Sequence, residues 1–159
     1  MPRRSAPHPV LSGIALDAIY AHARRDYPNE CCGIVYGPRR QRVANRAVRC
    51  KNIQNRLHAA DPARYLRDAR RAYSFDDRAM RAFGKSLRGE TPAKILYHSH
   101  IEEGAYFSVA DQEGALFEGE PSFPVEYVVV DVRADGMCSA KQFAWDARQR
   151  TYTEVRTYI

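Results

Sequence analysis

Residues 97–112 read YHSHIEEGAYFSVADQ, and how this run divides between strand, loop and helix decides the fold. AKILYHSH (93–100) is an apolar run that ends in two histidines one residue apart, the pattern of a buried strand. Side chains two apart on a strand share a face, so His98 and His100 point to one place while Ser99 points away. Downstream, SVADQEGALFEG (108–119) reads as a short helix. Its Ser108 and Asp111 stand three apart before an apolar run, the spacing of a capping box.

A strand end carrying two imidazoles, followed closely by a helix start carrying a carboxylate, suits a metal ion. Two neutral imidazoles and a carboxylate favour zinc, and three protein ligands leave a fourth position for water. Asp111, in the first turn of the helix, is the leading third ligand after His98 and His100. Each piece also has a plain structural reading: an H-x-H pair arises by chance on an exposed strand, and Ser108 with Asp111 caps a helix with no metal at all. The two readings coexist, since a cap can hold the helix start while its carboxylate faces a metal. Other H-x-H folds fit poorly. A cupin needs a further histidine downstream, and an amidohydrolase barrel needs several and a longer chain; no histidine follows His100, and Glu102 and Glu103 come too early.

Outward from this run, SGIALDAIYAHARRDY predicts a first helix from Gly13 to Asp26, ended by Pro28. CCGIVYG reads as a buried strand, GPRRQ as a turn, and Arg42 to Arg49 as a second strand. DPARYLRDARRAY predicts a helix with Asp61 as N-cap and Pro62 as its first residue. A second start signal, Ser74 with Asp77, opens SFDDRAMRAFGKSL, so the two stretches form one kinked helix or two. In a continuous helix Arg64, Arg67, Arg71, Arg78 and Arg81 share one face, ordinarily the solvated one. VEYVVVDVR and MCSAKQFAW form a hairpin around ADG, and VRTYI makes a last short strand. Strands separated by helices predict an α/β fold around one mixed sheet.

With 159 residues, 45% apolar and 28% charged, the chain suits one domain with a single core. No window approaches the ~18 apolar residues of a membrane span, and the opening MPRRSAPHPVLSG has no apolar segment of the kind a secretory leader carries. A soluble, cytoplasmic protein that does not engage membranes is expected. Cys31, Cys32, Cys50 and Cys138 contain no C-x-x-C pair, which points to reduced and mostly buried thiols. The net charge of +6, from 25 basic against 19 acidic residues, favours an acidic partner, either protein or nucleic acid. The arginines run from Arg3 to Arg156 without a block or an interleaved aromatic stripe, so a solvated surface explains them equally well.

The spacing H-S-H-x7-S-x2-D from His98 to Asp111, preceded by Glu30 in PNECCG and by Gly37 after the strand, resembles the JAMM motif of the MPN-domain metalloprotease family. The resemblance covers residues 1–159 as one JAMM/MPN domain. It implies a cytidine-deaminase-like three-layer α/β fold, with a curved mixed sheet between helices. It further implies that His98, His100 and Asp111 bind one Zn2+ per chain, that Glu30 takes a proton from the attacking water, and that Ser108 hydrogen-bonds the developing oxyanion. With the full set present, a catalytic member is expected over a metal-free scaffold.

Two positions depart from the family pattern, Ile101 and Phe107 standing where proline is common. Around them, Glu102 and Glu103 read as competing ligands, substrate-facing charges or loop-solvating groups, and Tyr106 and Phe107 as groove walls or packed aromatics. Compact bacterial proteins similar to this one cut after the Gly-Gly end of ubiquitin-like sulfur-carrier proteins, releasing cysteine or trimming the tail, in sulfur amino-acid metabolism. A diglycine tail has no side chains and fits a narrow groove in extended form. The alternatives are an isopeptidase that removes a ubiquitin-like modifier from lysine, and a noncatalytic MPN module that binds nucleic acid through its arginines. The oligomeric state stays open, a homodimer included.

Overall fold

The computed structural model describes residues 7–159; the first six positions of the basic lead, Arg3 among them, lie outside the described residues. In chain order the elements are β1 (Val10–Leu11), α1 (Gly13–Asp26), β2 (Cys32–Tyr36), β3 (Val43–Ala44), β4 (Arg46–Cys50), α2 (Gln54–Ala60) and α3 (Asp77–Ser86). There follow β5 (Ala93–Ile101), α4 (Val109–Ala115), β6 (Leu116–Phe117), β7 (Glu120–Pro121), β8 (Glu126–Val132), β9 (Cys138–Asp146) and β10 (Thr151–Tyr158). Six strands form one mixed sheet in the order β10-β9-β8-β5-β2-β4. Only the β5–β8 pair in it is parallel, joined by a crossover that contains α4. β1 pairs with β3, and β6 with β7, as small additions.

Strand alternation sends successive residues to opposite faces, and helices cover both. On one face Ile95, Tyr97, Val128, Val130 and Val132 pack with Ala15, Ile19 and Ala23 of α1. On the other, Leu96, Tyr127, Val129 and Phe143 pack with Phe83 of α3 and Ala115 of α4. The start of α1 is held by Ser12, whose hydroxyl accepts from Ala15 N–H. Gly33 of β2 is required by its neighbour: a Cβ there would lie 2.2 Å from Tyr97 Cζ. The Tyr97 hydroxyl thereby reaches His22 Nδ1 at 2.8 Å, in the core beneath α1.

Several expectations need correction. DPARYLRDARRAY is not helical but an ordered loop, and the helix in this region is the earlier α2, which ends where Asp61 N–H bonds to Leu57 O. Asp61 and Asp68 accept from the backbone N–H groups of Arg64 and Arg70, which satisfies the chain locally in turns. Asn52, Gln54 and Asn55 then take up Ala72 O, Arg67 O and Ala69 N–H. The arginines therefore share no continuous helical face: Arg64, Arg67 and Arg71 stand in this loop, Arg78 and Arg81 in α3. The N-cap of α3 is Asp76, not Ser74, whose hydroxyl instead donates to Gln54 Oε1.

The expected second strand is divided at Asn45, because β3 pairs with β1 while β4 pairs with β2. The helix after Ser108 stops at Ala115 and gives way to the β6–β7 hairpin, and the last strand is longer than VRTYI. All four cysteines are free thiols; Cys31 and Cys32 are buried, Cys50 and Cys138 half-buried. Among the described residues, no helix is long and apolar enough to cross a membrane.

Candidate metal centre and its cavity

The C-terminal half of β5 delivers the two histidines. Both are buried, and their Nε2 atoms lie 3.3 Å apart. Asp111, in the first turn of α4, faces both: Oδ1 is 3.1 Å from His98 Nε2 and Oδ2 is 3.2 Å from His100 Nε2. His100 Nδ1 lies 3.2 Å from Gly104 O. A carbonyl can only accept, so Nδ1 is the donor there, and Nε2 is left facing the Asp111 carboxylate as the ring atom available to a ligand-binding role.

The donor spacing bears on that role. Ligands about 2.0–2.1 Å from a tetrahedral zinc lie roughly 3.3 Å from each other; the two Nε2 atoms are 3.3 Å apart, with one Asp111 oxygen 3.1 Å from His98 and the other 3.2 Å from His100. Burial pushes the His98 pKa down, which keeps its imidazole neutral and able to act as a ligand. Burial raises the Asp111 carboxyl, but His98, His100 and the Ser108 N–H that donates to it outweigh this and hold it well below its usual range. Donor type, spacing and protonation all fit one divalent ion of the zinc class.

Ser108 and Asp111 make the capping box in full. Asp111 N–H donates to Ser108 Oγ and Ser108 N–H donates to Asp111 Oδ2, each at 3.0 Å. The Ser108 hydroxyl thus accepts in the cap and keeps its own proton to donate, and Ser108 lines the cavity beside the centre. Capping and chemistry draw on different halves of the same hydroxyl.

Glu30 arrives from the segment before β2. Antiparallel pairing sets Cys32 opposite His98, and this register brings Glu30 to the histidines. One ligand atom each from Glu30, His98 and His100 lie within 4.8 Å of one another. Its backbone is fixed on both sides: Glu30 N–H donates to Ala69 O at 2.7 Å, and Asn52 Nδ2 donates to Glu30 O at 2.9 Å. Burial pushes its carboxyl up to about 9, with the charges of Asp111 and Glu103 adding to the rise. Such a carboxyl can hold a proton at neutral pH and give it up when positive charge is near.

The remaining candidates divide cleanly. Glu102, at φ 60°, accepts from Tyr27 Oη at 3.1 Å and from Ala134 N–H and pairs with Arg133, so it ties the loop to the β8–β9 turn, away from the centre. Glu103 lines the cavity. Phe107 packs among Tyr127, Phe143 and Tyr152 as a core anchor, whereas Tyr106 is half-exposed with its ring edge-on to His100 at 4.8 Å. Ile101 continues β5 opposite Val132, whose carbonyl accepts from the next residue, Glu102 N–H.

Two participants escaped sequence reasoning. Tyr73 stacks on His98 with ring centroids 4.3 Å apart at 20°, and Asn52 bridges Glu30 O and Ala72 O. Neither carries a local signal, because each is defined by a partner more than twenty positions away. The cavity beside the centre, about 390 Å³, opens between the 61–76 loop and the loop after β5.

Residues 14–147 match the family model described as prokaryotic homologs of the JAB domain. The chain is 31% identical over 126 residues to the CysO-cysteine peptidases of Mycobacterium tuberculosis and Mycobacterium bovis, over 78% of this chain and 73% of each relative. Among solved structures it is similar to a protein from Desulfitobacterium hafniense, with a TM-score of 0.63 and 21% identity over 92% of this chain and 88% of that one. It is also similar to a JAB1/MPN domain protein from Archaeoglobus fulgidus, with a TM-score of 0.52 and 12% identity over 95% and 96%. At these identities the solved structures speak to the fold, a mixed sheet flanked by helices.

Proposed function

We propose that this chain, which belongs to the family of prokaryotic homologs of the JAB domain, is a cytoplasmic zinc-dependent peptidase formed as one domain over residues 1–159. Its substrate is a small ubiquitin-like sulfur-carrier protein, and it hydrolyses the bond after the carrier's C-terminal Gly-Gly, releasing cysteine or trimming the tail in sulfur amino-acid metabolism. The observation that carries the reading is the convergence of His98, His100 and Asp111 at 3.1 to 3.3 Å with Glu30 beside them. The mycobacterial relatives, named for peptidase activity on CysO-cysteine, support the substrate class.

His98, His100 and Asp111 would hold one zinc ion, which would supply Lewis acidity at the attacking water and the scissile carbonyl. The chain does the rest. Glu30 accepts one proton of the attacking water and delivers it to the leaving nitrogen; the water oxygen bonds to the glycine carbonyl carbon, the C–N bond breaks, and the acid formed passes its remaining proton to the amine, giving a carboxylate and an ammonium. Ser108 donates its hydroxyl proton to the carbonyl oxygen as negative charge builds there. Tyr73 holds the His98 ring in plane, and the Gly104 carbonyl sets the tautomer of His100.

The test is mass spectrometry of candidate carriers bearing cysteine after Gly-Gly, incubated with the purified protein. Loss of one cysteinyl residue, stopped by a chelator and restored by zinc, is the expected result. Unchanged mass for every Gly-Gly adduct in zinc-loaded samples would overturn the reading.

A further inference from the structure

We infer that Arg67, Arg70 and Arg71 form a subsite for the free α-carboxylate of the released residue, so that linear C-terminal adducts are preferred over lysine isopeptides. The inference rests on the peptidase reading and specifies the leaving group of the same site. All three arginines line the cavity that contains Glu30, His100 and Asp111. All three are exposed, and among the described residues none forms an ion pair, whereas Arg133 and Arg150 are matched with carboxylates and Arg64 lies over the Tyr65 ring.

Their loop is held rather than loose. Arg67 O, Ala69 N–H and Ala72 O are taken up by Gln54, Asn55 and Asn52, and Ala69 O accepts from Glu30 N–H itself. This last bond sets the loop against Glu30. The group that hands a proton to the leaving nitrogen must sit beside it, so the loop bound to Glu30 borders the leaving-group side.

A released α-amino acid carries its carboxylate one carbon away from the leaving nitrogen. In a lysine isopeptide that nitrogen ends a long aliphatic stem, and nearby carboxylate is lacking. Guanidinium forks bind carboxylates in charge-assisted pairs with defined geometry. The opposite cavity wall, with Glu103 and Tyr106, offers no such partner.

The decisive measurement uses the full chain with Glu30→Gln, zinc-loaded, titrated by NMR with the peptide Gly-Gly-Ala as free acid and as carboxamide. The acid is expected to bind about 10-fold to 100-fold more tightly and to shift the backbone signals of residues 67–71. Replacing Arg67, Arg70 and Arg71 together by Gln should bring the ratio near one, while their replacement by Lys, which keeps the charge, retains part of it. Equal binding of acid and amide overturns the subsite, as does an acid preference that survives the Gln substitutions. No turnover is needed, so a protein that cleaves no carrier adduct would sink the peptidase reading and still decide this one. In active protein, an isopeptide-linked carrier cleaved as fast as the linear acid adduct would also overturn it.

Discussion

Ser108 and Asp111 hold each other through two reciprocal hydrogen bonds of 3.0 Å, while the same Asp111 carboxylate faces both His98 and His100. The helix start and the metal centre are therefore one object. Ser108→Ala removes the acceptor of the cap, at a cost of about 1 kcal/mol. It also removes the oxyanion donor, so kcat should fall about 10²-fold to 10³-fold with zinc content kept. Asp111→Asn separates the roles differently: its amide oxygen still accepts from Ser108 N–H, but without the charge the zinc is lost. Metal analysis alongside thermal melts of the two variants checks both outcomes.

Glu30→Gln should keep zinc and lose about 10²-fold to 10⁴-fold in cleavage. The same variant has a signature that needs no substrate. The carboxyl sits at about 9 in the folded chain against 4.5 ordinarily. Without metal, the folded chain holds a proton that the unfolded chain has lost between those values, so stability falls as pH rises through that window. The buried His22, whose pKa is lowered by desolvation, acts in the opposite sense and is common to both proteins. Urea unfolding of the chelated proteins at about pH 5 and about pH 8 should show the variant gaining on wild type at the higher pH. An unchanged difference would remove Glu30 from the buried position assigned to it.

Tyr73 stacks on His98 without touching the metal position, which makes it a positioning residue. Tyr73→Phe should bind zinc as wild type does. Tyr73→Ala should weaken zinc about 10-fold to 100-fold, the range typical for loss of a group that orients a ligand. Competition against a chelating dye measures the difference directly, and equal affinity for the two variants would refute the role.

Gly33→Ala places a methyl 2.2 Å from Tyr97 Cζ, in a core where Tyr97 is already buried and bonded to His22. Overpacking of this kind costs about 1–3 kcal/mol. A lower urea midpoint is expected, together with reduced zinc occupancy, because β2 pairs with the β5 strand at His98. A midpoint equal to wild type would show that Tyr97 swings aside freely.

Much of the frame was legible in the chain itself. The bounds of α1 follow from Ser12 and Pro28, and β2, β5 and β8 follow from short apolar runs closed by turns. The shared face of His98 and His100 follows from the two-residue period of a strand, and the capping box from its spacing. The failure in 61–76 has the same root. Asp61, Pro62 and the arginines look helical to their neighbours, yet that backbone is claimed by Asn52, Gln54, Asn55 and Glu30.

Neighbouring residues specify the elements whose hydrogen bonds close within a few positions, and with them the side chains offered at positions 98, 100, 108 and 111. Folding alone sets Cys32 opposite His98, which brings Glu30 to the histidines, and lays Tyr73 on the His98 ring. It also took Arg67 and Arg71 out of a supposed helical stripe and set them, with Arg70, on one wall of the cavity. The physical reason is range: caps and strand periods are set by adjacent residues, whereas register and loop course are set by partners that the fold alone brings into contact.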